Sequence, residues 1–487
     1  MNTIGIDLGT SSVKAVVLSD NGELIAEAGA SFDVSRPHPL WSEQTPSTWL
    51  AATDHAMNQL RERAGSAWQQ VSALAVAGQM HGATLLDAAG AVLRPCILWN
   101  DGRSQAQCAA LEAQEPRTRQ ITANQAMAGF TAPKLMWVKE HEPEVFEKTA
   151  KVLLPKDWLV YQLAGVMSSD CSDASGTLWL DVARRAWSET MLRATGMRAE
   201  QMPELHEGCD EVGTLLPRWT RQWQLPAGIA VTAGAGDNAA GAVGVGVTVP
   251  GTGFVSLGTS GVVFVATDGP KPNPDRGVHT FCHALPGVWH QMAVMLSASS
   301  ALSWWCGIND SAPEALLKTL QPGAVRRDAP LFLPYLSGER TPHSDPRAQA
   351  GFIGMTHTTD RNDMSYAVLE GVAFSFADGV AALREAGPVP ERLLAIGGGA
   401  RSDVWLQLMA DTLGVTIDRP SGAEVGPALG AARLALRGRG VQLTDATPPI
   451  ARSFTPDAGN EAALADRLNR FRKAYAPMRQ LTTEEKS

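Results

Sequence analysis

Apolar residues recur with a period of two at the start of the chain, where Ile4, Ile6 and Leu8 alternate with Gly5, Asp7 and Gly9. With Asp20-Asn21-Gly22 as a tight turn, this pattern predicts strand, turn, strand, turn, strand over residues 2–34. The period then lengthens, and an amphipathic helix is expected from Pro46 to about Ala64. Val71 to Ala77 reads as a buried strand running into Gly78-Gln79-Met80-His81-Gly82. A hairpin, Ala83–Asp87 with Ala91–Leu93, should follow and end at Ile97-Leu98-Trp99-Asn100-Asp101. From Arg103 to about Arg198 the pattern is more helical, as expected of insertions decorating a first lobe.

A strand at Ala230–Ala233 leads through Gly234-Ala235-Gly236-Asp237 into an Ala- and Gly-rich helix, and Pro250-Gly251 and Gly253 then break the pattern. Beyond the break the theme repeats. Hairpin strands over Phe254–Ala266 are followed by strands near Thr280 and Trp289. A long helix is expected over 363–386, with Met364, Val368, Val372 and Phe376 on one row. Leu393–Ile396 is a strand ending in Gly397-Gly398-Gly399-Ala400. One helix ends near Asp411-Gly414, another runs from Gly426 to Arg437, and a charged helix closes the chain from about Asn460. Strands alternating with helices in both halves make the fold class α/β, with domains at 1–247 and 248–487.

The length of 487 residues suits two or three domains, and 44% hydrophobic with 19% charged residues is ordinary for a globular protein. A formal net charge of −9 argues against nucleic acid or an anionic membrane as main partner. Cys96, Cys108, Cys171, Cys209, Cys282 and Cys306 form no CxxC pair, which points to reduced thiols rather than a disulfide frame or zinc site. No export signal is visible at the start. Ile229–Val247, the most apolar stretch by this reading, carries Asp237 and Asn238 and several glycines, so no membrane span is expected. A cytoplasmic location follows as the expectation, with a homodimer left open.

Two loops nearly repeat each other: Asp7-Leu8-Gly9-Thr10-Ser11-Ser12 at the start and Ser256-Leu257-Gly258-Thr259-Ser260-Gly261 just past the middle. Each joins two β-type runs through a turn of Gly and small hydroxyl residues. Such a turn offers backbone N–H groups with no bulky side chain in the way, which suits a phosphate chain. Two copies suggest paired lobes gripping one nucleotide from opposite sides. A carboxylate beside polyphosphate calls for a cation between them, which makes Asp7 a candidate for organising Mg²⁺, directly or through water. Gly397–Ala400, between a strand and a helix, would let a flat ring or a phosphate approach the backbone. Neither GxxxxGK[ST] nor a GxGxxG after a strand is present. Asp237, at a strand's end and a helix's start, is the sharpest candidate for a general base, although a helix cap would explain it too. Met80-His81 lies between glycines after a buried strand. Trp99, Asp101 and Arg103 form a polar cluster suited to binding several hydroxyls. His279 and His283 have no evident third partner for a metal.

These motifs resemble the FGGY carbohydrate kinases of the actin and hexokinase ATPase superfamily, over nearly the whole chain. Gly129–Val138 looks like the family's first signature and residues 350–370 like its second. Gly78–Gly82, Ile97–Arg103, Gly236–Gly241 and Leu333–Pro342 look typical of the branch acting on D-xylulose. The resemblance implies two actin-like, ribonuclease H-like ATPase domains with a cleft between them. It also implies transfer of phosphate from MgATP to O5 of D-xylulose. Met80, His81 and Asn238 would hold the sugar with Asp237 as base, and Asp7 would serve metal and phosphates. Gly9, Thr10, Ser11, Lys14, Gly258, Thr259 and Ser260 would hold the phosphates, and Gly398, Gly399, Ala400 and Asp403 the adenosine. Spacing alone says only kinase-like ATPase. A kinase for ribulose or glycerol, a chaperone-like ATPase and a silent sugar sensor stay open on the residues themselves.

Overall fold

The alternation in the first residues does build a meander. Asn2–Leu8 pairs antiparallel with Ser12–Ser19, residue for residue from Asn2–Ser19 to Leu8–Val13, and Ser12–Ser19 pairs with Leu24–Ser31. Ile4, Ile6, Leu8, Val13, Ala15 and Val17 from these strands are fully buried. Val71–Gly78 adds in parallel beside Asn2–Leu8, and Ala230–Thr232 in parallel beside that. Glu211–Thr214 closes the edge, and the short strand Ala235–Gly236 extends the pairing of Val71–Gly78. The computed structural model describes residues 1–421, 426–441 and 447–483.

The second sheet repeats the plan. Gly253–Leu257 and Gly261–Thr267 form a hairpin, Trp289–Met295 and His279–Cys282 continue it antiparallel, and Arg392–Ile396 and Thr416–Pro420 add in parallel on the other side. Ile450–Phe454 forms the far edge. Two seven-stranded α/β sheets of like topology, one in each half, are the architecture that the repeated loops led us to expect.

Some elements differ from the sequence reading. The hairpin after Asp87 forms, with the Asp87 N–H donating to the Ala91 carbonyl and the Leu93 N–H to the Leu85 carbonyl, each at 2.9 Å, and a Leu86–Val92 bridge; its longer ladder, however, joins Thr84–Leu86 to the distant strand Lys151–Leu153. The long helix spans Arg361–Arg384 because Asp360 caps it: its carboxylate accepts from the Asp363 N–H at 2.8 Å, and Asp363 returns the bond at 3.1 Å. This helix, rather than 229–247, has the length and apolarity of a membrane span. Its 18-residue apolar window is 94% buried inside the protein, so core packing accounts for its composition.

Helix Gly426–Gly438, from the second half of the chain, lies against the first sheet and against helix Asp237–Gly244. A Cβ on Gly430 would stand 1.7 Å from the Ala240 carbonyl oxygen, and one on Gly5 would stand 1.9 Å from the Ala428 oxygen. Glycine at these points lets backbone meet backbone. One hydrophobic cluster joins the halves directly, with Met80, Phe130 and Trp179 packing with Phe254, Phe264 and Phe281.

Candidate active site

Asp7, Ala77 and Ala235 stand side by side on three neighbouring strands. Asp7 therefore ends one strand beside the turn that begins helix Asp237–Gly244. Burial and the nearby Asp237 push the Asp7 carboxyl up to about 7, with Lys14, its cross-strand partner, pulling the other way. One Asp7 oxygen, Oδ1, is buried with no hydrogen-bond partner. Asp237 is raised to about 6 by burial, against N–H donation from the Asn238 backbone at 2.7 Å and side chain at 2.9 Å, both to Oδ1. Asn238 thus bonds Asp237 directly. Among the described residues no group of three His, Cys, Asp or Glu could hold a metal by itself. Asp7 with its orphan oxygen suits a cation carried mainly by phosphate, as Mg²⁺ is where one or two carboxylates complete its shell.

The first loop is pinned from behind. Gln44 Nε2 donates to the Thr10 carbonyl at 2.6 Å, the Gln79 N–H donates to the Leu8 carbonyl at 2.8 Å, and Trp99 Nε1 donates to Thr10 Oγ1 at 2.9 Å. The Gly9 N–H bonds the Ser12 carbonyl at 3.0 Å, while Ser11 and Lys14 are exposed. In the second loop the Gly258 and Thr259 carbonyls accept from the Ser299 and Ala298 N–H groups at 2.8 and 3.1 Å. With its carbonyls tied down, Thr259 stands exposed, and Ser260 half-exposed.

A cavity of about 540 Å³ joins the lobes, lined by Lys14 on one side and by Ser256, Gly397, Gly398, Ala400 and Arg419 on the other. Gly398 has nothing within 4 Å of where a Cβ would be, so its bareness leaves room at the wall. Gly399 is different: a Cβ there would meet Leu257 and Ser299 at 2.8 Å, which is a packing constraint. Asp403 accepts from Arg419 at 2.7 Å and also pairs with Arg452, so it fixes Arg419 at the cavity wall.

His81 has φ 70°, the left-handed region, and is held there. Its Nδ1 lies 2.8 Å from the Gly176 carbonyl, which makes Nδ1 the donor and leaves Nε2 as acceptor. Burial lowers its pKa to about 3, so the ring is neutral. Phe130 packs edge-on against it at 4.6 Å, and Met80 is buried beside Gly236. Asp101 and Arg103 bind each other. The Asp101 carboxylate accepts from the Ser42 N–H at 2.6 Å and from Arg103 Nε and Nη2 at 2.9 and 2.7 Å, while the guanidinium lies 3.6 Å over the Trp41 ring. This pair braces the loop that carries Trp99, and its bonding groups face the protein. Trp99 and Asp101 line a second cavity of about 280 Å³, together with Gly129, Leu296, Glu339 and Arg340.

Residues 2–244 match the N-terminal domain of the FGGY family of carbohydrate kinases, and residues 253–438 match its C-terminal domain. The chain belongs to that family. A protein named xylulose kinase from Escherichia coli (strain K12) is 50% identical over 97% of this chain and 98% of its own length. Another so named, from Bacillus subtilis (strain 168), is 36% identical over 99% and 98%. A crystal structure described as a "xyloylose kinase" from Brucella ovis superposes with a TM-score of 0.95 at 45% identity, covering 99% of this chain and 100% of that one. As an FGGY kinase the protein uses ATP to phosphorylate a carbohydrate.

The stretch Gly129–Val138, which resembles the first FGGY signature, has a physical task in this kinase. Thr131 Oγ1 and Lys134 Nζ donate to the His81 carbonyl at 3.1 and 2.8 Å, holding the left-handed peptide from the far side. Burial drops Lys134 to about 7, because no carboxylate lies within ion-pair distance among the described residues. A buried quartet lies near Asp237. Lys156 meets Asp157 at 2.7 Å and Asp170 at 3.0 Å with Asp173 adjacent, and Ser172 Oγ accepts from the Gly236 N–H at 3.1 Å. Sequence reasoning missed Gln44, Gln79, Lys134 and this quartet. Only Gln79 and Lys134 carried a signal, as members of the quoted motifs. His279 bonds Asn124 and Arg340, and His283 bonds the Val247 carbonyl and the Leu285 N–H, so both rings serve as hydrogen-bonding groups.

Proposed function

We propose that this kinase transfers the γ-phosphoryl group of MgATP to O5 of D-xylulose, giving D-xylulose 5-phosphate and ADP. The observation that carries the reading is the nearness of Asp7, on strand Asn2–Leu8, to Asp237 at the start of its helix, with Lys14, the cross-strand partner of Asp7, lining the glycine-turn cavity shared by the lobes. The sugar's identity rests on the 50% identity to a protein named xylulose kinase over 97% of the chain. Asp237 accepts the O5 proton as the new O–P bond forms and the bond to the departing ADP oxygen breaks. His81 Nε2 accepts from a sugar hydroxyl, and Met80 and Asn238 shape the same pocket. Asp101 and Arg103 contribute by bracing Trp99.

Asp7 would help hold Mg²⁺, which when bound neutralises phosphate charge. Gly9, Thr10, Ser11 and Lys14 on one side, and Gly258, Thr259 and Ser260 on the other, would take the phosphates. Gly398, Gly399 and Ala400, with Asp403 behind Arg419, would form the adenosine wall. Such a reaction fits a cytoplasmic protein.

ADP release coupled to a reporter tests the reading, with D-xylulose, D-ribulose, L-ribulose and glycerol as acceptors. D-xylulose is expected to give the highest kcat/KM. A higher value for another acceptor would remove D-xylulose as the substrate, and no sugar-stimulated ADP release at all would remove the kinase reading.

A further inference from the structure

Leu333–Pro342 carries two adjacent ionisable residues, Glu339 and Arg340, to which the reaction above assigns nothing. Its surroundings can be read atom by atom. Asn124 Nδ2 donates to the Thr122 and Thr280 carbonyls at 2.7 and 2.8 Å, which fixes Oδ1 as the acceptor. Oδ1 then accepts from His279 Nδ1 at 3.2 Å, so His279 Nε2 is the ring's acceptor and takes a bond from Arg340 Nη1 at 3.2 Å. This relay starts in the first lobe and sets the angle of an arginine belonging to the second.

The rest of that guanidinium is unmatched. Arg340 has no carboxylate within ion-pair distance among the described residues, although the residue is more than half shielded from solvent. Glu339 does not supply one. Its Oε1 accepts from the Leu296 and Arg340 N–H groups, each at 2.8 Å, and burial raises its carboxyl to about 8. Arg340 lines the cavity of about 280 Å³ with Trp99 and Gly129, and its charge is close enough to depress His81. Trp99 in turn donates to Thr10 of the first loop, which ties this cavity's wall to the turn after Asp7. A donor-only cation in a half-shielded cavity is matched by an oxygen with lone pairs and no hydrogen of its own to place.

We infer that Arg340 is a substrate-binding residue whose free N–H groups donate to the carbonyl end of the ketose, and that it selects a ketose over the corresponding polyol. The inference rests on the ketose reading above and deepens it.

Arg340→Met and Arg340→Lys, compared with wild type on D-xylulose and xylitol, test it, with calorimetric titration of D-xylulose in the absence of nucleotide and thermal melting as a fold check. Arg340→Met is expected to weaken D-xylulose binding about tenfold or more, and to cut kcat/KM for D-xylulose by at least as much. The value for xylitol should fall less than about threefold, because a hydroxyl loses less than a carbonyl when a donor is removed. Arg340→Lys, which keeps charge without the planar fork, should lie between. Equal losses on both acceptors, or unchanged D-xylulose affinity, overturn the inference. Should the Met variant not fold, Arg340→Lys decides, and an unchanged ratio of the two kcat/KM values overturns it. Wild type inactive on D-xylulose would instead defeat the ketose reading. Wild type active on it with an unaltered variant ratio defeats only the role of Arg340.

Discussion

A general base is useful only while ionised, and burial works against that in Asp237 by raising it to about 6. As pH falls through about 6 the carboxylate takes a proton and can no longer accept one, so kcat/KM for D-xylulose should show an acid limb there. Asp237→Asn should lose about 10²-fold or more in kcat, retain sugar binding, and lose that limb. Near-wild-type turnover would take Asp237 out of this role. His81, neutral at about 3, should add no limb of its own. Asp7 behaves differently because a cation and a proton compete for the same oxygens. With its free value near 7, the Mg²⁺ concentration for half-maximal rate should rise up to about tenfold per pH unit below 7. Asp7→Ala should flatten that dependence and cut turnover, and an unchanged Mg²⁺ titration would count against a metal role.

Elements were legible where their signal is local. Alternation in Ile4–Leu8, the Asp20-Asn21-Gly22 turn and the glycines of both loops are written in a few adjacent residues, and each formed. The pairing of Thr84–Leu86 with Lys151–Leu153, the brace of Asp101 by Arg103 and Ser42, and the Lys134 grip on His81 depend on partners far along the chain, which no local period encodes. Helix Gly426–Gly438 is the sharpest case: its span could be read, but its seat on the first sheet could not. That seat makes a prediction about glycine. Gly430→Ala drives a methyl into the Ala240 carbonyl at 1.7 Å, so it should cost about 1–3 kcal/mol and lower the melting temperature by several degrees. Gly398→Ala meets no atom within 4 Å and should melt as wild type does, while raising the KM for ATP because the methyl enters the nucleotide cavity. If the two substitutions behaved alike in melting and in ATP affinity, glycine would have the same task in both places.

The whole molecule is stitched unevenly. The decorated region of the first half bonds the second along one side: Asn124 Nδ2 to the Thr280 carbonyl at 2.8 Å, the Cys282 N–H to Ser175 Oγ at 3.0 Å, Arg185 to the Val288 carbonyl at 2.9 Å and Trp289 Nε1 to the Val182 carbonyl at 2.8 Å. Beneath these the shared cluster around Phe254, Phe264 and Phe281 adds a dry, packed contact. The cavity proposed for the nucleotide has Lys14 on one lobe and the Gly397–Ala400 turn on the other, and at its edge Gly426, the first residue of the helix seated on the first sheet, where Thr3 Oγ1 donates to the Ala432 carbonyl at 2.9 Å. A rotation that keeps both the stitched side and the seated helix in place would shift Lys14 against the Gly397–Ala400 turn across the cavity, and the 247–253 connection is short enough to follow it. Closure of this kind would bring the γ-phosphate to the sugar and exclude water, so sugar-free enzyme should hydrolyse ATP only slowly. X-ray scattering should show a smaller radius of gyration with D-xylulose and a non-hydrolysable ATP analogue together than with either alone. Identical profiles in all three conditions would mean that the lobes meet their ligands as a rigid pair, and slow hydrolysis would then need another cause.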